Sequence, residues 1–288
     1  KPYENSCSVE WRCKPNHYQT GSNQVCHRVK VYTSDLSDKQ WETIRELLPL
    51  RKQGAGRPVE IDLRQAVNGM LYIAKTGCQW QNLPGEFPHY QSVYYHYRKW
   101  CLDGTWERVN LALVWLERRR QGRCPYPSVG IVDSQSVKTT REGNERGYDA
   151  GKQVKGRKRH IVVDTVGHLL KVIIHTASLQ DRDGVRLLLE ALPPMVRLRL
   201  VLIWADGGYR GKVVVWCRQV LNLILAIILI PPDQKGFALL PRRWVVERTF
   251  AWLSNYRRLS KDYEVNTTLS AGMVYLASIH TLLKRLPT

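Results

Sequence analysis

A chain of 288 residues with 43% hydrophobic and 24% charged residues has the make-up of a globular protein, with room for one large domain or two modest ones. Lys and Arg outnumber Asp and Glu by 44 to 25, a net charge of +19 that favours a polyanionic partner, nucleic acid first, although basic membrane-surface and ribosome-associated proteins share it. The longest apolar run, residues 221–232, is too short to span a bilayer, no signal peptide is visible, and the seven cysteines follow no disulfide framework; no membrane partner and a cytoplasmic location are expected.

Residues 1–31 show no sustained periodicity. Cys7, Cys13, His17, Cys26 and His27 are of zinc-binding type, but their intervals match no paired-knuckle pattern, and a poorly ordered extension is the expectation. Ser37-Asp38-Lys39-Gln40 is a capping box ahead of Trp41, Ile44, Leu47 and Leu48 at helical spacing, closed by Pro49. A basic, flexible linker follows at residues 51–58. Asp62 caps a second helix with Leu63, Ala66, Val67, Met70, Leu71 and Ala74 on one side and Gly77 as its stop. A third helix, residues 92–100, ends at Gly104, and a fourth runs from about Trp106 to Arg120. The third is short, aromatic and basic and follows a turn at Leu83-Pro84-Gly85. It reads equally as the DNA-reading helix of a helix-turn-helix and as part of a plain bundle.

From Tyr126 the period changes. Residues 129–132, 160–164 and 170–174 are strand-like, with Gly167 turning between the last two. Then come a helix near residues 183–192, a strand at 200–204, a helix near 212–220, a strand near 223–230 and a helix that follows Pro241. Strands joined by tight turns, followed by alternating helix and strand, predict a mixed α/β sheet covered by helices. In the last helix Val246, Phe250 and Leu253 offer an apolar face, while Arg243, Glu247 and Ser254 share another side.

Asp133 follows directly on one predicted buried strand and Asp206 on another, with Gly207-Gly208 behind it permitting a tight turn. Strand ends in open α/β sheets are where sites tend to be built. If Glu247 is brought over those ends, three carboxylates converge, and their repulsion calls for a cation. Carboxylate oxygens with room for water suit Mg²⁺ or Mn²⁺, ions that bind phosphate oxygens as remaining ligands. The opposing reading makes each Asp a turn or cap residue and Glu247 a salt-bridged surface residue. Lys152, Lys155, Arg157, Lys158 and Arg159 form an acid-free cationic run leading into a strand, either a phosphate-tracking edge or a solvated basic hairpin. Arg243, Arg248, Arg257 and Arg258 are expected on the side of Glu247.

Residues 132–139, 151–160, 205–211 and 243–253, taken together and in order, resemble the bacterial insertion-sequence transposases of the DDE class, in the family of the fifth-numbered insertion sequence, related to the fourth-numbered one. Thr76-Gly77-Cys78-Gln79-Trp80 followed by Leu83-Pro84 is similar to that family's helical leader. The resemblance covers about residues 31–286, leaves the extension 1–31 outside it, and implies a helical and DNA-binding domain 32–125 and an RNase H-like catalytic domain 126–288. It implies Asp133, Asp206 and Glu247 as catalytic triad and metal ligands, with Mg²⁺ as cofactor, Mn²⁺ able to substitute, and no nucleotide or organic cofactor. Arg243 matches the arginine of the family's signature. The tyrosine expected upstream is Leu240 here and the cation expected after Glu247 is Ser254, with Tyr256 and Arg257 as stand-ins.

The function implied is binding of terminal inverted repeats, phosphodiester cleavage and joining of 3′-hydroxyl ends to target DNA. It would act as a homodimer or larger assembly on double-stranded DNA in the bacterial cytosol or nucleoid. A decayed copy that only binds DNA, and a structure-selective nuclease that cuts without joining, stay open. A tyrosine recombinase is disfavoured, because none of the eight His residues begins a His-x-x-Arg pattern.

Overall fold

The computed structural model describes residues 31–49, 61–141, 144–229 and 242–286. The Cys/His group of the first 30 residues, the basic linker at 51–58, Leu240 and Pro241 lie outside the described residues.

Four helices open the described chain: α1 (Asp38–Arg45), α2 (Leu63–Thr76), α3 (Tyr90–Leu102) and α4 (Thr105–Arg120). Their ends are set as the sequence predicts. Gln40 N donates to Ser37 Oγ and Ser37 N to Gln40 Oε1, so each satisfies an otherwise orphan amide. Asp62 accepts from the amides of Arg64 and Gln65, and Gly77 ends α2 at φ +76°. α2 and α3 bury Val67, Met70, Leu71, Val93 and Tyr97, and the Tyr97 hydroxyl donates to Leu269 O at 2.5 Å.

Six strands follow: β1 (Val129–Lys138), β2 (Gly147–Asp149), β3 (Val154–Asp164), β4 (Leu169–Thr176), β5 (Leu202–Ala205) and β6 (Ile224–Ile227). β3 lies antiparallel to β1 along nine register pairs, Gly130 with Asp164 through Lys138 with Gly156. Its other edge carries β2 against residues 154–156 and β4 against residues 157–163. On the far side of β1 come β5 and then β6, both parallel. Three antiparallel strands followed by two parallel ones make an RNase H-like sheet.

The covering helices are α5 (Asp181–Glu190), α6 (Pro194–Arg199), α7 (Lys212–Leu221), α8 (Trp244–Ser254) and α9 (Thr267–Leu283). α8, predicted from its apolar face, lies against β1 and β3. α9 was not predicted. It is apolar on nearly every side and carries no amphipathic stripe to read. Leu269, Val274, Leu276 and Ile279 are buried where α9 meets α2, α3, α4 and β4. Among the described residues no helix is long and apolar enough to cross a membrane.

Candidate active site

The parallel pairing of β1 with β5 sets the site. Val129 stands beside Leu202, Gly130 beside Ile203 and Ile131 beside Trp204. Two residues further along each chain are Asp133 and Asp206, so the register brings them side by side on one face, where neighbouring strands run about 5 Å apart. Asp133 is not at a strand end, as the sequence suggested. β1 continues to Lys138 because β3 stays paired with it, Asp133 opposite Ile161. The strand that stops is β5, and Asp133 lies beside the gap left where β5 closes at Ala205. Asp206 there enters a 3₁₀ turn, Gly207–Tyr209, with Oδ1 accepting from Gly208 N at 2.8 Å. A Cβ on Gly208 would stand 3.1 Å from that oxygen.

Glu247 comes from the first turn of α8, its side chain 52% exposed. Arg243 joins it to the sheet: Nη2 lies 3.7 Å from Asp206 Oδ2 and 3.7 Å from Glu247 Oε1. α8 itself is clamped by the turn between β3 and β4. Arg248 Nη2 donates to Val166 O at 2.8 Å and Thr249 Oγ1 to Gly167 O at 2.9 Å. Gly167 adopts φ +90°, and a Cβ there would sit 2.8 Å from Thr249 Oγ1. The turn is built on Asp164, whose carboxylate takes the amides of Val166 and His168 and pairs with Arg118 of α4.

Burial, and after it the negative charge of Asp206, pushes the Asp133 carboxyl up to about 6, against the amide of Ser134 and the charges of Lys152 and Arg243. Among the described residues no three His, Cys, Asp or Glu side chains stand close enough together to form a metal site. The donor chemistry of Asp133 and Asp206 nonetheless suits a hard divalent ion, and the buried Tyr209 phenol lies beside Ser134 near them. Glu247, held by Arg243, would complete the set by turning inward.

The cationic run divides sharply. Lys155 is exposed, and Lys152 reaches in to Ser134 O at 2.9 Å. Arg157, Lys158 and Arg159 are buried, which corrects the expectation that they track phosphates. Arg157 is spent on the carbonyls of Asn144, Glu264 and Val265 and on Asp262. Lys158 binds Leu179 O, Asp149 and Asp181, and Arg159 binds the carbonyls of Leu259 and Lys261. Alternation sends Arg157 and Arg159 to one face and Lys158 to the other, and all three are buried because both faces are covered and supply carbonyls or carboxylates, a tertiary circumstance that charge density does not register. Arg248 is likewise engaged, stacked 4.3 Å from the Trp244 ring and 4.5 Å from that of Trp252. Tyr256, expected as a stand-in on the DNA side, is buried with its hydroxyl on Thr281, whereas Arg257 is exposed.

A supporting layer escaped the sequence reading. Ser134 Oγ donates to Asp181 Oδ1 at 2.8 Å, and Lys158 Nζ lies 3.0 Å from the same oxygen. Although burial raises it, the Asp181 carboxyl is held below the usual range by Lys158 and Ser134. Its place at the start of α5, among other edge acids, gave it no distinguishing signal.

A five-stranded core of this order, with helices packed over it, is that of the RNase H-like class. The chain belongs to the DDE transposases of bacterial insertion sequences: the family "Transposase DDE domain" matches residues 126–282. Residues 36–110 match a second family, "Putative transposase of IS4/5 family (DUF4096)". A transposase assigned to insertion sequence IS402 of Burkholderia cepacia is 35% identical over 129 residues, 42% of this chain and 60% of the relative. The present chain thus spans about three fifths of that relative's length. An uncharacterized Sinorhizobium fredii protein, y4sN, is 32% identical over 79 residues, 27% of this chain and 62% of its own. The Mos1 strand transfer complex superposes with a TM-score of 0.27 at 13% identity, covering 82% of this chain and 78% of that one. So loose a match carries no weight, and the fold assignment rests on the strand order.

Proposed function

We propose that the protein is a DNA transposase whose site residues are Asp133, Asp206 and Glu247. One observation carries this reading: the β1–β5 register, which sets Asp133 beside Asp206 where Arg243 links Asp206 to Glu247. Bound by these carboxylates, Mg²⁺ or Mn²⁺ would activate a water or a 3′-hydroxyl and stabilise the leaving oxygen of an in-line displacement.

The chain's own groups prepare that chemistry. Burial, with the charge of Asp206, raises the Asp133 carboxyl in the metal-free chain, and a bound cation would favour its ionised form, so metal binding would release a proton there. Arg243 exchanges its two carboxylates for a phosphate oxygen of the DNA, releasing Glu247 to turn inward. Lys155 and Arg257 remain for backbone contacts on either side, and Lys152 would join them by exchanging Ser134 for a phosphate oxygen. Residues 32–125 hold the element ends and residues 126–288 perform cleavage and joining, in an assembly of two or more copies.

The test supplies the purified protein, Mg²⁺, a duplex ending in the element's inverted repeat, and a supercoiled target. Joined products support a transposase. Cutting without joining identifies a nuclease, and binding alone identifies a decayed copy. Asp133→Ala, Asp206→Ala and Glu247→Ala should each abolish cleavage and leave end binding within a few fold. Normal cleavage by any of them removes that residue from the site.

A further inference from the structure

The segment from Gly77 to Trp80, which the proposed chemistry leaves unused, builds one wall of a pocket. Gly77 packs so closely on the 3₁₀ turn Arg257–Leu259 that a Cβ there would stand 3.2 Å from the Arg257 carbonyl carbon. Beside it, Cys78 O accepts from Arg258 Nη1 at 3.2 Å. The same guanidinium pairs with Glu264 at 2.9 Å and lies 5.1 Å from the centre of the Tyr263 ring. Trp80 stands edge-on to Tyr94, ring centres 5.0 Å apart, and both rings adjoin Tyr97. Tyr97 is buried with its hydroxyl held by Leu269 O, so this aromatic wall is fixed in advance of any ligand.

The outer face of α3 supplies the rest. Val93, Tyr97 and Trp100 go to the core, while Tyr90 and Tyr94, and beside them Gln91, Tyr95 and Arg98, line up one turn apart outside it. Together with Tyr263–Val265 they enclose about 410 Å³, within the size range of small-molecule sites. Five lining side chains are aromatic, and all five keep part of their surface in solvent, Tyr95 as much as 61%. The acid of the lining, Glu264, is matched by Arg258, which leaves the exposed Arg98 as excess positive charge. Flat rings beside an unmatched cation suit a planar ligand carried on an anionic chain. A nucleobase with its phosphate has that make-up, and the net charge of +19 favours it. Inside a duplex a base is stacked between its neighbours and cannot enter a pocket, so the base must be unpaired.

We propose that this pocket stacks one unpaired base of bound DNA, with Arg98 on the adjoining phosphate. This rests on the reading of the chain as a DNA transposase and gives α3 a part in holding frayed or overhanging ends.

The test compares a blunt duplex with the same duplex carrying a short oligothymidine overhang, binding of the full chain being followed by fluorescence anisotropy. The parent should bind the overhang duplex roughly tenfold more tightly, the scale of one stacked base. Tyr95→Ala, at an exposed position, should melt like the parent and lose most of that preference, whereas Tyr95→Phe should keep it. A 5-iodouracil placed in the overhang should photocross-link to the parent at Trp80, Tyr94 or Tyr95. Equal binding of the two duplexes by the parent, an unchanged preference in Tyr95→Ala, or cross-links that map only elsewhere would overturn the pocket's role and leave the transposase reading standing. If the parent binds neither duplex, that reading fails and takes this inference with it. If Tyr95→Ala changes the oligomeric state of the DNA-free chain, the pocket takes a second copy instead, and the proposal falls.

Discussion

Replacing Arg157 with methionine removes a guanidinium that is 0% exposed and keeps most of the aliphatic volume. Three carbonyls and one carboxylate lose a donor: Asn144 O, Glu264 O, Val265 O and Asp262. They do not lose equally. Val265 O still receives Asn144 N, and Asp262, itself 2% exposed, retains Ser270 Oγ at 2.6 Å and Glu264 N at 3.1 Å. Breaking a buried pair by removing one partner costs about 3–5 kcal/mol, and the surviving bonds set the expectation near the lower end, about 3 kcal/mol. At roughly 2–4 °C per kcal/mol for a domain of this size, the melting temperature should fall by about 6–12 °C. Lys155→Ala provides the contrast. That side chain is exposed, so melting should not change, while the slope of log binding constant against log salt on a non-specific duplex should shrink by about 0.9. Melting curves and salt titrations of both variants decide the matter. An Arg157→Met chain that melts like the parent and loses as much salt slope as Lys155→Ala would refute the structural role and restore Arg157 to the DNA surface.

Two further outcomes follow from the site. Because the Asp133 carboxyl is raised from 3.8 to about 6, the folded chain holds its proton more tightly than the unfolded chain does. The metal-free protein is therefore expected to lose stability as pH rises from about 4 to about 6, and Asp133→Asn should abolish that decline; parallel curves for parent and variant would contradict it. Gly167→Ala places a Cβ 2.8 Å from Thr249 Oγ1 at φ +90°, which should cost about 1–3 kcal/mol and displace the helix bearing Glu247. Denaturant unfolding and a cleavage assay measure the two effects, and unimpaired cleavage would mean that this turn does not locate Glu247.

Where local rules govern, the sequence was readable. Ser37, Asp62 and Gly77 mark helix ends because their caps act within four residues. Asp133, Asp206 and Glu247 could be singled out because each is a lone acid after an apolar run or amid cations, and motif order tied them together. Three features were hidden, each for a non-local reason. The extension of β1 to Lys138 depends on β3 remaining paired with it, not on hydrophobicity. Arg157 and Arg159 point inward because residues 259–265 happen to offer carbonyls there. Tyr209 and Asp181 reach Ser134, next to Asp133, only through the fold.

The position of α9 bears on how the chain is made. Helices α2, α3 and α4, residues 63–120, bury apolar faces against a segment, Thr267–Leu283, that is synthesised well after them. During synthesis that layer waits, unsealed, until all six strands of the sheet have been made. A truncated product ending anywhere before α9 would expose Val93, Tyr97 and Trp106 instead of presenting a finished amino-terminal layer, and would be a substrate for chaperones and proteases. Premature termination before α9 should therefore leave no stable fragment of this helical layer.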